Sequence, residues 1–213
     1  MSRLEAGATR PHIGYIPSHS GFHAPSVLTL SNLLTASRLI LAPFVAWRLA
    51  LHDVEGAFWL FAVAALTDLL DGWLARLLNQ KSDFGALLDP IADKVMLLTT
   101  LSFLALTDLL PMWLLWLVLA RDGVILAGAY AYRRLTGGLK ITPIFSGKLT
   151  IALEFILVSW VLAEDGLSLG MAWGIGPLTL LTAAVGIFSG LRYVWIWSSK
   201  TRTYLKRRDA AAG

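Results

Sequence analysis

The chain has 213 residues, of which 56% are hydrophobic, and a formal net charge of +4. Soluble domains contain about 45–50% apolar residues, so this composition, with a mean hydropathy of +0.66, predicts one integral membrane domain. The absence of cysteine excludes a disulfide framework and thiolate chemistry. The basic residues fall in short clusters between apolar segments, which argues against nucleic-acid binding.

Residues 1–27 are punctuated by proline and glycine and contain no apolar run, so we expect a flexible or surface-lying cytoplasmic segment without a cleavable signal peptide. Six apolar segments follow, each near the roughly 20 residues that cross a bilayer core. They span about 30–51, 56–77, 85–107, 110–132, 143–163 and 174–197. The sequence therefore predicts an all-α membrane protein with six transmembrane helices in residues 28–199, followed by a basic cytoplasmic tail at 200–213.

The connections between these segments alternate in charge. Those with the sequences HDVEG, TDLLP and AEDGLSLG contain no Lys or Arg, whereas the other connections and the tail are basic. By the positive-inside rule, the basic connections and both termini are expected in the cytoplasm. Arg48, near the outer end of the first segment, is the exception. Most tryptophans lie near segment ends, where amphipathic rings favour the membrane interface.

Four carboxylates interrupt the second and third apolar segments. They are Asp68, Asp71, Asp89 and Asp93. A charge at the centre of a membrane helix costs roughly 2.5–3.5 kcal/mol on insertion scales, so four of them need a compensating partner. A shared cation is the simplest candidate, and the hard ions Mg²⁺ and Mn²⁺ prefer carboxylate oxygens.

Helical spacing places these acids on two stripes together with small residues and one arginine. The stripes contain, in turn, Asp68, Asp71, Gly72, Ala75 and Arg76, and then Gly85, Asp89 and Asp93. The short NQKSD turn would bring them face to face near the cytoplasmic interface. Small residues admit a nucleotide, and Arg76 suits a phosphate. Two metal ions can clamp a phosphoryl transfer, and Asp93 is the candidate base for an attacking hydroxyl.

Three other interpretations remain open at this point. The acids could cap helices or pair with Arg76 and Lys94, although four acids exceed two bases. They could form a cation or proton transport path, but charged groups are absent deep in the outer halves of the segments. A scaffold without catalysis would pack through small residues and would not need four carboxylates.

The series D-x-x-D-G-x-x-A-R-x8-G-x-x-x-D-x-x-x-D, from Asp68 to Asp93, is similar to the signature of the CDP-alcohol phosphatidyltransferases. The resemblance extends to the six-span layout and to the pattern N-x-x-T-x-x-R in the first segment. It implies the fold of that family, the transfer of a phosphatidyl group from CDP-diacylglycerol to an alcohol with release of CMP, and a homodimer.

The resemblance also implies a role for individual residues. It implies that two ions, Mg²⁺ or Mn²⁺, are bound by four aspartates: Asp68, Asp71, Asp89 and Asp93. Asp93 is also implied to be the catalytic base. It assigns the CDP-lipid to Asn32, Thr35, Asp68, Gly72, Ala75, Arg76, Ser82 and Gly85, although Asn32 could instead be a helix N-cap. It assigns the acceptor to Arg38, Arg121 and Lys148. For Arg121 and Lys148, snorkelling to lipid headgroups or neutralisation of nearby acids is the alternative. Glu154 has no implied role, and buried polar pairing is expected for it.

The acceptor alcohol is indicated by a narrower resemblance. The run around the signature, and the pair RD followed by P-x-x-x-x-K, resemble the eukaryotic-type cardiolipin synthases, which use phosphatidylglycerol. Phosphatidylglycerophosphate synthases, which use glycerol 3-phosphate, share the core, but their Arg-Glu pair and second lysine after G-K are absent. The favoured acceptor is phosphatidylglycerol and the alternative is glycerol 3-phosphate. The expected location is a bacterial inner membrane with the active site cytoplasmic, or else the mitochondrial inner membrane.

Overall fold

A computed structural model describes residues 30–78, 83–136 and 145–212, with the side chains of these ranges except those of 30–35, 70–78, 83–90, 207–209 and 211–212. This part of the chain forms six α-helices and one short 3₁₀ turn, and it contains no strand. The helices are α1 (Leu30–Ala50), α2 (Val54–Leu78), α3 (Asp83–Leu106), α4 (Met112–Thr136), α5 (Phe145–Leu167) and α6 (Ile175–Ala212), with the turn at Ala172–Gly174. The expected all-α fold is confirmed. The predicted N-terminal segment 1–27 lies outside the described residues.

Five helices begin and end within a few residues of the predicted segments, whereas α6 is much longer. Its 38 residues run through most of the stretch expected as a basic tail. At 1.5 Å per residue, α6 is about 57 Å long, nearly twice the thickness of a bilayer hydrocarbon core of about 30 Å. The basic residues after position 199 therefore continue a helix that is too long for the apolar layer.

Three helices among the described residues are long and apolar enough to cross a membrane. They are Met112–Thr136, Phe145–Leu167 and Ala172–Lys206, each with a mean hydropathy of 1.6 over 18 residues. The fold is thus that of an apolar helical protein of membrane type, while the number of six crossings stays a prediction.

The apolar core lies at one end of the helical bundle. Helix α1 packs against α2 and α3, α4 packs against α6, and α5 packs against both α6 and α2. The largest fully buried apolar side chains come from the ends of α1, α3 and α5 and from the start of α4: Val45, Leu49, Leu101, Leu104, Leu114, Leu157, Val158, Val161 and Leu162. Lipid is as apolar as this core, so close packing rather than hydrophobic burial selects these contacts in a membrane. The buried charged residues Arg38, Arg121 and Glu154 lie outside this core.

The connection between α1 and α2 explains why Arg48 is tolerated near connections that otherwise contain no Lys or Arg. Asp53 caps α2, and its Oδ1 accepts a hydrogen bond of 2.8 Å from the Gly56 N–H. Its Oδ2 pairs with the Arg48 guanidinium at 2.5 Å. The Gly56 hydrogen bond and the Arg48 charge together hold the pKa of Asp53 below its ordinary value. The charge of Arg48 is therefore neutralised by its neighbour. An unpaired arginine at this position would conflict more strongly with the alternation of basic and non-basic connections.

The tryptophans divide into surface and interior side chains. Trp47, Trp59, Trp116 and Trp173 are more than half exposed, as expected of rings at a membrane interface. Trp197 differs, because it is only 8% exposed. Its ring centroid lies 5.2 Å from that of Tyr132, and a Cβ at Gly128 would come within 2.9 Å of the indole. Gly128 thus makes the space in which α4 and α6 enclose this ring.

Candidate active site

The first polar cluster centres on Arg38 of α1. Arg38 is only 5% exposed, and its guanidinium lies between one carboxylate of α2 and one of α3. The Nη2 atom pairs with Asp68 Oδ1 at 2.5 Å, and Nη1 donates to Asp93 Oδ1. Because α1 packs against both neighbouring helices, one side chain reaches acids that stand 25 positions apart in the chain. The structure therefore brings the first and last aspartates of the series together.

These two carboxylates fit the chemistry of a divalent-cation site. Their side chains are 45% and 51% exposed, so they remain accessible from outside the bundle. A positive group already lies between them, and carboxylate oxygens are the ligands that hard cations prefer. No group of three acidic or histidine side chains that could hold a metal comes together among the described residues. The side chains of Asp71 and Asp89 lie outside this part, so the four-ligand site stays a prediction.

Several predicted nucleotide-binding residues lie on these helices without a described side chain. Asn32 and Thr35 are in α1, the residues from Asp71 to Arg76 are in α2, and Gly85 and Asp89 are in α3. Ser82 lies outside the described residues. The roles implied for Gly72, Ala75 and Arg76 likewise stay predictions.

A second polar cluster lies where α3, α4, α5 and α6 meet. Arg121 is 7% exposed, and its Nη1 donates to Asp122 Oδ1 at 2.9 Å. Its Nη2 makes longer contacts of 3.4 Å to the Gly147 carbonyl and the Ser189 hydroxyl. The other oxygen of Asp122 pairs with Lys94 Nζ at 2.5 Å. Arg121, one of the predicted acceptor-binding residues, thus lies in a buried cluster of polar contacts.

Two glycines border the Arg121 side chain. A Cβ at Gly147 would lie 3.0 Å from the Tyr193 hydroxyl and 3.5 Å from Arg121 Nη2. A Cβ at Gly190 would lie 3.6 Å from Arg121 Cγ. Lys148, the next residue on α5, is exposed, so the structure does not bring it into this cluster.

Helix α3 connects the two clusters through consecutive residues. Asp93 contacts Arg38, and Lys94 contacts Asp122. Neighbouring residues of an α-helix point about 100° apart, so α3 presents one face to each cluster. A molecule held at Arg121 therefore lies beside the helix that carries the candidate base.

The structure adds residues to which the sequence assigned no role. Ser146 and Glu154 of α5 are 5% and 2% exposed, and one side-chain oxygen of each has no hydrogen-bond partner among the described residues. They lie on the same buried stripe as Thr150, at intervals of four. This spacing could have predicted from the sequence that the residues share one face of α5. It does not show which side chains of the neighbouring helices lie opposite that face.

The fold and the two clusters define a class: a helical protein of membrane type, with two clusters of acids and bases between its helices. The family model for the CDP-alcohol phosphatidyltransferases matches residues 28–189. The chain belongs to this family, and its predicted identity as a phosphatidyltransferase enzyme is confirmed at that level.

The chain is similar to relatives of two kinds, cardiolipin synthases and a glycerol-3-phosphate phosphatidyltransferase. It is 30% identical over 211 residues to the cardiolipin synthase (CMP-forming) of Rattus norvegicus, covering 89% of this chain and 69% of the rat protein. It is 38% identical over 156 residues to the probable cardiolipin synthase (CMP-forming) of Drosophila melanogaster, covering 68% and 48%. It is 35% identical over 158 residues to the CDP-diacylglycerol–glycerol-3-phosphate 3-phosphatidyltransferase of Cereibacter sphaeroides, covering 68% and 71%.

Proposed function

We propose that the protein transfers the phosphatidyl group of CDP-diacylglycerol to phosphatidylglycerol, forming cardiolipin and CMP. The observation that carries this proposal is the meeting of Asp68 and Asp93 at Arg38, which joins the two ends of the family signature in space. The similarity to the rat cardiolipin synthase over 89% of this chain supports the choice of acceptor.

In the proposed reaction, Asp93 is the general base. Its side chain is 51% exposed and can meet a hydroxyl that arrives from outside the bundle. The carboxylate takes the hydroxyl proton, and the hydroxyl oxygen forms a bond to the phosphorus of the phosphatidyl group. The bond from that phosphorus to the bridging oxygen breaks, and its electron pair leaves with CMP. Arg38 holds the Asp93 carboxylate in place for this step.

The divalent ions and the nucleotide are proposed to lie on the same side of α2 and α3. Asp68, Asp71, Asp89 and Asp93 would hold Mg²⁺ or Mn²⁺, which supplies positive charge to the diphosphate when bound. The CDP-lipid would contact the remaining residues of the signature and of the first helix: Asn32, Thr35, Gly72, Ala75, Arg76, Ser82 and Gly85.

Arg121 is proposed to bind the phosphate of the acceptor. One of its nitrogens donates to Asp122, its two contacts through Nη2 are long, and its Nε has no hydrogen-bond partner among the described residues. A buried guanidinium with donors to spare suits a phosphate oxygen. Both candidate acceptors carry a phosphate, so this contact serves either of them. Lys148, exposed on the same helix as Gly147, would contact the acceptor or a lipid headgroup at the surface.

We further propose that all six helices cross the membrane, with both termini and the site in the cytoplasm. The alternating charges of the connections and the local neutralisation of Arg48 support this orientation. A bacterial inner membrane and a homodimer follow from the family resemblance, with a mitochondrial inner membrane as the alternative location.

The second candidate acceptor is glycerol 3-phosphate, which is favoured by the similarity to the Cereibacter protein. Purified protein should be given CDP-diacylglycerol and Mg²⁺ with either phosphatidylglycerol or glycerol 3-phosphate, and the lipid product identified by mass. We expect cardiolipin and CMP from phosphatidylglycerol. If phosphatidylglycerophosphate forms from glycerol 3-phosphate and no cardiolipin forms from phosphatidylglycerol, the acceptor is glycerol 3-phosphate. No CMP release with either would overturn the proposed function.

A further inference from the structure

Glu154 is a buried acid in the middle of an apolar helix. It is 2% exposed, and its Oε1 has no hydrogen-bond partner within the described part of the chain. An unmet buried polar group costs about 1–3 kcal/mol, and more when it is charged. Ser146, two turns earlier on the same stripe of α5, repeats the pattern with an unpartnered buried hydroxyl. Two such oxygens on one stripe indicate a site that a ligand completes.

The surrounding charges indicate what kind of ligand is missing. The charges that act on Glu154 are those of Lys94, Arg121 and Asp122. Together these three carry two positive charges and one negative charge, so a further metal ion is not needed for balance. A carboxylate oxygen accepts hydrogen bonds, and a hydroxyl group can donate one without adding charge. The missing partner is therefore best supplied by a neutral hydroxyl.

The position of this group relative to the other two clusters indicates which hydroxyl is involved. Arg121, which contacts Gly147 beside Ser146, is the proposed phosphate contact of the acceptor. Lys94 directly follows Asp93, the proposed base for the reacting hydroxyl. Glu154 thus belongs to the part of the site between the acceptor's phosphate and its reacting end. Phosphatidylglycerol and glycerol 3-phosphate both carry a second hydroxyl on the central carbon of glycerol, between those two points.

We propose that Glu154, assisted by Ser146, binds the non-reacting secondary hydroxyl of the acceptor's glycerol and so makes the enzyme specific for glycerol-bearing acceptors. This inference rests on the proposed function. The secondary hydroxyl donates to the Glu154 carboxylate, and the Ser146 hydroxyl is a further hydrogen-bond partner. A site built to bond a substrate hydroxyl rejects an analogue that lacks it, because the buried oxygen is then left unpaired.

The test compares two acceptors in three forms of the full-length protein. The acceptors are phosphatidylglycerol and its analogue with a 1,3-propanediol headgroup, which lacks only the secondary hydroxyl. The proteins are the wild type, Glu154→Leu and Glu154→Gln. If glycerol 3-phosphate proves to be the acceptor, 3-hydroxypropyl phosphate is the matching analogue. The measured quantity is the ratio of kcat/KM for the two acceptors, with the KM for CDP-diacylglycerol recorded alongside.

We expect the wild type to prefer the glycerol acceptor by roughly tenfold or more, as for other buried hydroxyl contacts. Glu154→Leu should bring the ratio close to one by slowing the glycerol acceptor alone. Glu154→Gln, which keeps an acceptor oxygen, should retain part of the preference and also covers the case in which the leucine variant does not fold. Glu164→Gln, near the other end of α5, is the matched control and should leave the ratio unchanged.

Two results would overturn the assignment while leaving the proposed function intact. One is a wild type that turns over both acceptors equally. The other is a loss of rate in the Glu154 variants that is the same for both acceptors, which would mean that Glu154 only supports Lys94 and Arg121 structurally. A wild type that releases no CMP with any acceptor would instead overturn the proposed function, and this inference with it.

Discussion

At the scale of single residues, the site depends on how a few buried charges are balanced. Arg38 stands between two carboxylates, while Asp122 stands between two cations, Lys94 and Arg121. Removing one member of such a group leaves its partners uncompensated, and the cost is larger the more deeply those partners are buried. Variants of these residues should therefore separate effects on chemistry from effects on charge balance.

Asp93→Asn should remove the proposed general base without changing the size of the side chain. We expect CMP release to fall by roughly 10²–10⁴-fold, the usual contribution of a positioned base. Asp165→Asn, at an exposed position near the far end of α5, is the control and should retain the wild-type rate. Unchanged turnover by the Asp93 variant would remove it from the role of base.

Arg38→Gln should make the protein depend on divalent cations for stability. Breaking a fully buried ion pair costs about 3–5 kcal/mol, and a smaller loss is expected here because both carboxylates are about half exposed. Excess Mg²⁺ should raise the thermal midpoint of the variant more than that of the wild type, because a bound cation replaces the lost guanidinium charge.

The control for this measurement is Arg48→Gln, which breaks an ion pair at the opposite end of the bundle. It should show no Mg²⁺-dependent gain beyond that of the wild type. Equal gains in the Arg38 variant and the wild type, measured with and without chelator, would argue against a cation site at these acids.

At the scale of helices, several buried hydroxyls of the bundle bond within their own helix. Thr100, Thr150, Thr179 and Thr182 are buried, and each donates to the carbonyl four residues earlier at 2.7–2.9 Å. Such bonds satisfy a hydroxyl without a partner helix. Ser146 and Glu154 do not do so, which separates them from the structural polar residues of the same interior.

Gly147→Ala should disturb the Arg121 cluster more than the fold. The added Cβ would lie 3.0 Å from the Tyr193 hydroxyl, so Tyr193 must shift, and it would touch Arg121 Nη2 at 3.5 Å, an ordinary van der Waals distance. We expect a higher KM for the acceptor, an unchanged KM for CDP-diacylglycerol, and an overpacking cost of about 1–3 kcal/mol, partly offset by the better helix propensity of alanine.

Gly123→Ala is the matched control, because a Cβ there meets no described atom within 4 Å. It should be neutral or stabilising by up to about 1 kcal/mol, measured as a thermal midpoint in detergent. If both glycine variants change the acceptor KM equally, the close approach at Gly147 does not position Arg121.

At the scale of the whole molecule, the polar and apolar ends of the bundle are separated. The fully buried leucines and valines occupy the end where α1, α3 and α5 finish, and both charged clusters lie towards the other end. In a membrane this arrangement keeps the charges near one interface, where water and ions can reach them. It also predicts that the two ends of the bundle are exposed on opposite sides.

The orientation can be tested directly because the chain has no cysteine of its own. Single cysteines at Leu51, Leu106 and Leu169 should react with a membrane-impermeant maleimide from the outer side of sealed membranes. A cysteine at Ala210 should react only from the cytoplasmic side. Labelling of Leu51 and Ala210 from the same side would contradict six crossings with both termini in the cytoplasm.

Much of the fold and part of the site could be predicted from the sequence because local patterns carry them. Apolar runs of membrane length placed six helices to within a few residues at most ends, since hydropathy acts on each segment by itself. The spacing from Asp68 to Asp93 identified the family, because its chemistry needs acids and small residues at fixed helical offsets. The pairing of Arg48 with Asp53 and the extension of α6 to Ala212 were missed, because neither changes the apolar pattern.

Only the tertiary structure decided which charges meet. The placement of Arg38 between Asp68 and Asp93, and of Asp122 between Lys94 and Arg121, depends on how α1, α3 and α4 pack, and residue spacing within one helix does not specify its neighbours. The same reason applies to Glu154. Its sequence context indicated a buried polar residue, whereas its unpartnered oxygen became visible only when the surrounding helices were in place. The sequence by itself thus determined the class of chemistry, and the packing of the helices determined which of its charged residues meet.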